Sequence, residues 1–65
     1  MQYLNSTAIH AVNYNAATMT LTIWFTSSGR GYDYYNVPES IYLGLLRASS
    51  KGQYFSAFIR DQYAA

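Results

Sequence analysis

The sequence predicts an α+β domain, a three-stranded antiparallel meander followed by two helices packed on one face of the sheet (β-β-β-α-α). Three observations predict it. In residues 18–26, Met19, Leu21, Ile23 and Phe25 alternate with Thr20, Thr22, Trp24 and Thr26, the period of a half-buried strand. The connections on either side of that stretch are short, which favours antiparallel hairpins over parallel crossovers. Beyond Pro38 the apolar residues recur at helical spacing instead.

Taken in order, residues 8–14, Ala-Ile-His-Ala-Val-Asn-Tyr, read as the first strand, and Asn15-Ala16-Ala17 as its turn. In the second strand, Met19, Leu21, Ile23 and Phe25 should face the core. Thr20, Thr22, Trp24 and Thr26 then share the other face, an unusual place for the only tryptophan. Ser27-Ser28-Gly29-Arg30-Gly31 is a loop, with glycines where positive φ is needed. Tyr32 to Val37 is the third strand. Tyr32 and Tyr34 lie on one of its faces and Tyr35 on the other, and the pattern leaves open which is buried.

Pro38 suits the first turn of a helix, where its missing N–H costs nothing. Ile41, Tyr42, Leu45 and Leu46 form that helix's apolar face, and it should end near Ala48. Gly44 inside it either costs about 1 kcal/mol relative to alanine or permits close packing. Ser50-Lys51-Gly52-Gln53 fits a capping box for a second helix, with Phe55, Phe58, Ile59 and Tyr63 as its apolar face and Arg60 and Asp61 late in it. The expected core is Met19, Leu21, Ile23, Phe25, Leu45, Phe55 and Ile59.

The chain has 65 residues, a single domain spanning 1–65. It has no cysteine and one histidine, which excludes a disulfide staple and argues against a closed zinc site. Its mass is apolar and aromatic instead: 51% hydrophobic, with eight tyrosines. A chain this short gains core by self-association, so a homo-oligomer with Trp24 at or near the contact is expected. Net charge is only +1, from Arg30, Arg47, Lys51 and Arg60 against Asp33, Glu39 and Asp61. That is too little for a clustered grip on long nucleic acid, and no polybasic stretch suits a membrane surface. With no leader pattern at the amino end and no run of membrane-spanning length, a soluble cytoplasmic protein is expected.

Several pieces together carry a resemblance. They are Ser6-Thr7-Ala8-Ile9, Tyr14, a strand ending at Phe25 followed by Gly29, Tyr32-Asp33-Tyr34, and Val37-Pro38-Glu39. The last is Ser50-Lys51-Gly52-Gln53-Tyr54-Phe55 with Ile59-Arg60 and Tyr63. In this order, over nearly the whole chain, they resemble the KTSC domain, named after the C-terminal extension of some lysyl-tRNA synthetases. The resemblance implies a stand-alone module of about this length, found in bacteria and phages, with RNA binding as the implied activity. The sequence departs from the usual pattern at Ser56, where asparagine is frequent, at Phe58, where histidine is frequent, and at Asp61, in place of a small or basic residue. These changes lower the charge and polarity of the second helix, and they weigh against RNA more than against the fold.

No residue pattern supports catalysis. His10 lies on a strand, no nucleophile elbow surrounds any serine, and the three acids show no pairing for acid–base work. No catalytic residue, metal ligand or cofactor is therefore expected. The expected activity is binding. Tyr32, Tyr34 and Tyr35 with Trp24 would offer base-stacking surface, although such clusters are more often core. The N-terminus of the second helix, with Ser50, Lys51 and Gly52 followed by Tyr54, would meet phosphate, against the competing reading of an ordinary cap. Arg60 and the loop residue Arg30 are further phosphate candidates. The expected partner is a small nucleotide or a short RNA. One version is a phage protein that sequesters a host signalling nucleotide. The rival class is a structural module that homo-oligomerises through its aromatics.

Overall fold

The computed structural model describes residues 1–63, so the last two residues of the expected 1–65 domain lie outside it. Among the described residues, four strands and two helices follow in the order β1 (Gln2–Tyr3), β2 (Ile9–Asn15), β3 (Thr20–Phe25), β4 (Gly31–Tyr34), α1 (Glu39–Arg47) and α2 (Lys51–Phe58). The strands form one antiparallel sheet in sequential order. The fold is α+β as expected, but the sheet has four strands, not three. The added strand is only two residues long and both are exposed, so no alternation marks it; it exists through pairing of Gln2 with Val12 and Tyr3 with Ala11.

Register explains which face is buried. Leu21 pairs with Tyr34, and Ile23 with Val12 and Tyr32, so Tyr32 and Tyr34 share the core face. On the other face Tyr3, Ala11, Trp24 and Gly31 form one row, and Asn13, Thr22 and Asp33 the next. A bulge at His10 resets the first of the long strands, which lets both Ile9 and Val12 reach the core. Trp24 is half-buried on the outer face as expected, and its indole lies across Gly31, where a Cβ would stand 2.8 Å from its Nε1.

The helices cover the other face. Ile9, Val12, Leu21, Ile23, Tyr34 and Val37 pack against Leu45, Phe55 and Ile59 in one cluster. Phe25 is only partly buried at the cluster's edge. Met19, expected in the core, is 39% exposed. It closes the turn that follows Asn15 with a left-handed φ of 56°, so the strand begins one residue later and the alternation never reaches it. Its carbonyl accepts the Val37 N–H at 2.9 Å. The third predicted strand likewise stops early: Asn36 takes φ 60°, and the chain turns there to bring Val37 into the core.

The helix starts lie close to where the sequence places them, with Pro38 one position ahead of the first turn expected for it. Pro38 is the N-cap of α1 and Ala48 its C-cap. Ser50 caps α2, its hydroxyl accepting from the Gln53 N–H. That helix ends at Phe58 rather than running through Arg60 and Asp61, because Ile59 caps it and residues 59–62 turn. Phe58, expected on its apolar face, is 49% exposed, since the stripe through Phe55 and Ile59 alone meets the sheet. Tyr14 joins the layers: its hydroxyl donates to the Val37 carbonyl at 2.6 Å, and its ring stacks on Tyr42 at 4.8 Å.

Candidate functional site

Among the described residues, three of the concavities on the surface divide the residues singled out in the sequence. The first is a cleft of about 330 Å³ lined by Phe25, Ser27, Ser28, Tyr32, Tyr34, Phe55 and Arg60. Alternation carries Phe25, the last residue of β3, to the core side at the sheet's end, where helices no longer cover it fully. The ladder with β3 brings Tyr32 and Tyr34 to the same face. Phe55 comes from the middle of α2, and Arg60 from the turn that follows.

The rings meet edge to face. Phe25 and Phe55 lie 5.0 Å apart at 71°, Tyr34 and Phe55 5.5 Å apart at 73°, and Phe25 and Tyr32 5.8 Å apart at 57°. The floor is therefore aromatic and largely buried, with Tyr34 at 7% and Phe55 at 8% exposure. Two serine hydroxyls and a guanidinium stand on the rim. Outside it, Arg30 places its guanidinium carbon 5.7 Å from the centre of the Tyr32 ring, within cation–π range. Among the described residues, no carboxylate lines the cleft.

Burial, and then the neighbouring Tyr32, push the Tyr34 phenol above the ordinary tyrosine value of 10.0. It is thus a neutral hydroxyl at any physiological pH. The folded state holds this proton more tightly than the unfolded chain. Its contribution to stability is complete below pH 10.0 and is lost as pH rises through the raised value. Melting temperature should fall on going above about pH 10, and Tyr34→Phe should fall less steeply over that window. A variant with the same alkaline slope as the parent would show that Tyr34 plays no part. Tyr14 shares the direction, through burial first and Glu39 second, so the parent's slope contains both.

The second concavity, about 290 Å³, lies between the turn before β2 and the start of α2. Asn5, Ser6, Thr7 and Ala8 line one side, and Ser49, Ser50, Lys51 and Gly52 the other. Here the residues expected to meet phosphate already have structural partners. The Lys51 ammonium donates to the carbonyls of Leu46 at 3.0 Å and Ala48 at 2.5 Å, closing the end of α1. Ser50 is occupied as the cap, and a Cβ on Gly52 would press on Ala8 at 3.1 Å. Tyr54 lines neither concavity; its hydroxyl donates to the Ile41 carbonyl, and its ring packs over Gly44. The third concavity, about 230 Å³, holds Trp24 with His10, Phe25, Thr26 and Gly29.

The structure therefore gathers Tyr32, Tyr34, Arg60 and, beside them, Arg30 into one place. It sets Ser50, Lys51 and Gly52 apart, and puts Trp24 across the sheet from the tyrosines. A platform combining Trp24 with Tyr32 and Tyr34 does not form, because Trp24 pairs with Gly31 in register while Tyr32 pairs with Ile23. Tyr35, exposed beyond the end of β4, does not line the cleft. Phe25, Phe55, Ser27 and Ser28 were not expected at a site. The signal for Phe25 was its position as the last apolar residue of the alternation, where a core face runs out into the surface.

Comparison with known proteins places the whole arrangement. A family model described as KTSC domain matches residues 5–63. The chain is similar to a protein of Tsukamurella paurometabola, 35% identical over 65 residues, covering 100% of this chain and 96% of that one. It is similar also to a lysine–tRNA ligase of Nostoc sp., 46% identical over 55 residues that make up 85% of this chain and 10% of the ligase. A second such ligase, from Nostoc punctiforme, matches at 44% identity with the same coverage, so the chain spans about a tenth of the length of these ligases. Among solved structures it resembles the KTSC domain protein of Yersinia pestis, with a TM-score of 0.92 and 30% identity, over 97% of this chain and 87% of that one.

Proposed function

The chain belongs to the KTSC domain family, and from that premise we propose that it is a non-enzymatic binding module for a nucleotide-type ligand. The carrying observation is the cleft in which Phe25, Tyr32, Tyr34 and Phe55 meet Ser27, Ser28 and Arg60. A base is planar and apolar on its faces, and it stacks on such rings for about 1–3 kcal/mol. Its phosphate is anionic, and a guanidinium meets it with two parallel hydrogen bonds. The volume of about 330 Å³ suits one nucleotide rather than several. The occurrence of relatives within lysine–tRNA ligases supports RNA as the form in which that nucleotide is presented. The chain's weak net charge supports a small nucleotide or a short strand instead.

Titration calorimetry with nucleoside monophosphates and with short oligonucleotides checks this. Tyr32→Ala and Arg60→Ala should each weaken binding by about tenfold or more with melting behaviour retained, since neither side chain is fully buried. The slope of log affinity against log salt should be shallow, about −0.7 for each phosphate held. Absence of any nucleotide binding would overturn the proposal. A slope calling for about five or more phosphates would replace it with an extended RNA-binding surface.

A second reading, self-association across the outer sheet face, draws support from Met1 at 66% and Tyr3 at 68% exposure, with Tyr3 in the row that holds Trp24. Sedimentation equilibrium on the same samples separates the two, because only the second requires a mass that falls on dilution.

A further inference from the structure

Resting on the nucleotide reading above, we propose that the Tyr34 hydroxyl is the hydrogen-bond donor on the floor of the cleft, and that it selects a base presenting a carbonyl there over one presenting an amine. Tyr34 lines the cleft and is only 7% exposed. Its backbone is fixed by pairing with Leu21, and its ring lies edge to face on Phe55 at 5.5 Å. The half-buried Tyr14 and Tyr54 donate their hydroxyls to the Val37 and Ile41 carbonyls. Among the described residues the Tyr34 hydroxyl has no such partner. Among them, too, no side-chain oxygen is both sealed from solvent and unpaired, so the Tyr34 oxygen opens into the cleft it lines. A buried ring thus brings an unpaired polar atom to an apolar floor.

The polarity of the cleft orients a nucleotide. A phosphate stripped of water against aromatic rings has nothing to offset the loss, so it stays at the rim with Arg60, whose side chain is 61% exposed. The base lies inward, its faces against the rings and its edge toward Tyr34. Burial holds the proton on this phenol, so the group is a neutral O–H at physiological pH. A carbonyl on the base edge accepts that proton. An amine can only donate to the phenol oxygen, which leaves the phenol's own proton without an acceptor among the rings. A site that strands a buried donor in this way rejects the ligand that strands it.

Inosine and adenosine 5′-monophosphates are the probe pair, since the first carries a carbonyl where the second carries an amine. Both are titrated calorimetrically into the parent and into Tyr34→Phe, which keeps the ring and removes only the oxygen. The parent should bind the inosine nucleotide about tenfold tighter. Tyr34→Phe should lower that affinity to the adenosine level and leave the adenosine nucleotide unchanged. Its urea midpoint at neutral pH should match the parent's, because the hydroxyl has no protein partner to lose. A lower midpoint would make the hydroxyl a structural group and overturn the proposal. Equal affinities in the parent, or a preference that survives Tyr34→Phe, would overturn it while leaving the nucleotide reading standing. If the parent binds neither nucleotide, the nucleotide reading falls and this inference falls with it.

Discussion

Phe55→Ala should cost about 3–5 kcal/mol and leave little folded protein at room temperature. The ring is 8% exposed and sits where the core meets the cleft, touching Phe25 on one side and Tyr34 on the other edge to face. Truncation loses the transfer energy of the ring and leaves a hole that α2 cannot close, since Ile59 behind it is already fully buried. A domain of this length holds about 3–10 kcal/mol in total, at the usual 0.05–0.15 kcal/mol per residue. The loss is therefore of the size of the whole stability. Urea denaturation followed by circular dichroism reads it, and a variant with the parent's midpoint would remove Phe55 from the core. Phe55→Leu separates its two roles: it keeps most of the buried volume, so the fold should survive, while the cleft loses its central ring and ligand affinity drops.

The main lines of this architecture were legible because two periods are written plainly in the chain. Leu21 and Ile23 alternate as a half-buried strand must, Leu45, Phe55 and Ile59 keep helical spacing, and all five reached the core. What was illegible depends on partners distant in sequence. Gln2 and Tyr3 become a strand only because Val12 and Ala11 offer them a free edge. Ile9 faces inward through a bulge at His10, which no alternation announces. Met19 fits the apolar period but is taken by a turn with left-handed backbone, so local geometry overrode its hydrophobicity. The site was half legible for the same reason. Tyr32, Tyr34 and Arg60 are conspicuous residue types, but that Phe25 and Phe55 join them is decided by where the helices stop covering the sheet. Lys51 misleads in the opposite direction. A lysine at a helix start suggests an anion, yet the ammonium reaches back to the carbonyl end of the preceding helix.

Gly44→Ala should destabilise the domain although it improves the helix. Propensity alone favours the substitution by about 1 kcal/mol, since alanine is the best helix former and glycine among the worst. Packing opposes it. A Cβ on Gly44 would collide with the Tyr54 hydroxyl and stand 2.8 Å from the ring carbon that bears it, far inside van der Waals contact. The tyrosine cannot simply swing away. Its hydroxyl is fixed to the Ile41 carbonyl at 3.0 Å, and its ring is held against Phe58 at 4.7 Å. α1 and α2 must move apart, at about 1–3 kcal/mol for an overpacked contact, and the hydrogen bond between them is lost with that shift, at about a further 0.5–1.5 kcal/mol. Together these exceed the propensity gain, so the net loss should be about 0.5–3 kcal/mol. The double variant decides whether this contact is the cause. Tyr54→Phe removes the crowding oxygen and the bond together, and in that background Gly44→Ala should cost clearly less than it does alone. If the two substitutions add without coupling, the close approach of the helices at Gly44 is not what keeps glycine there. If Gly44→Ala raises the melting temperature, propensity has won and the packing argument is wrong.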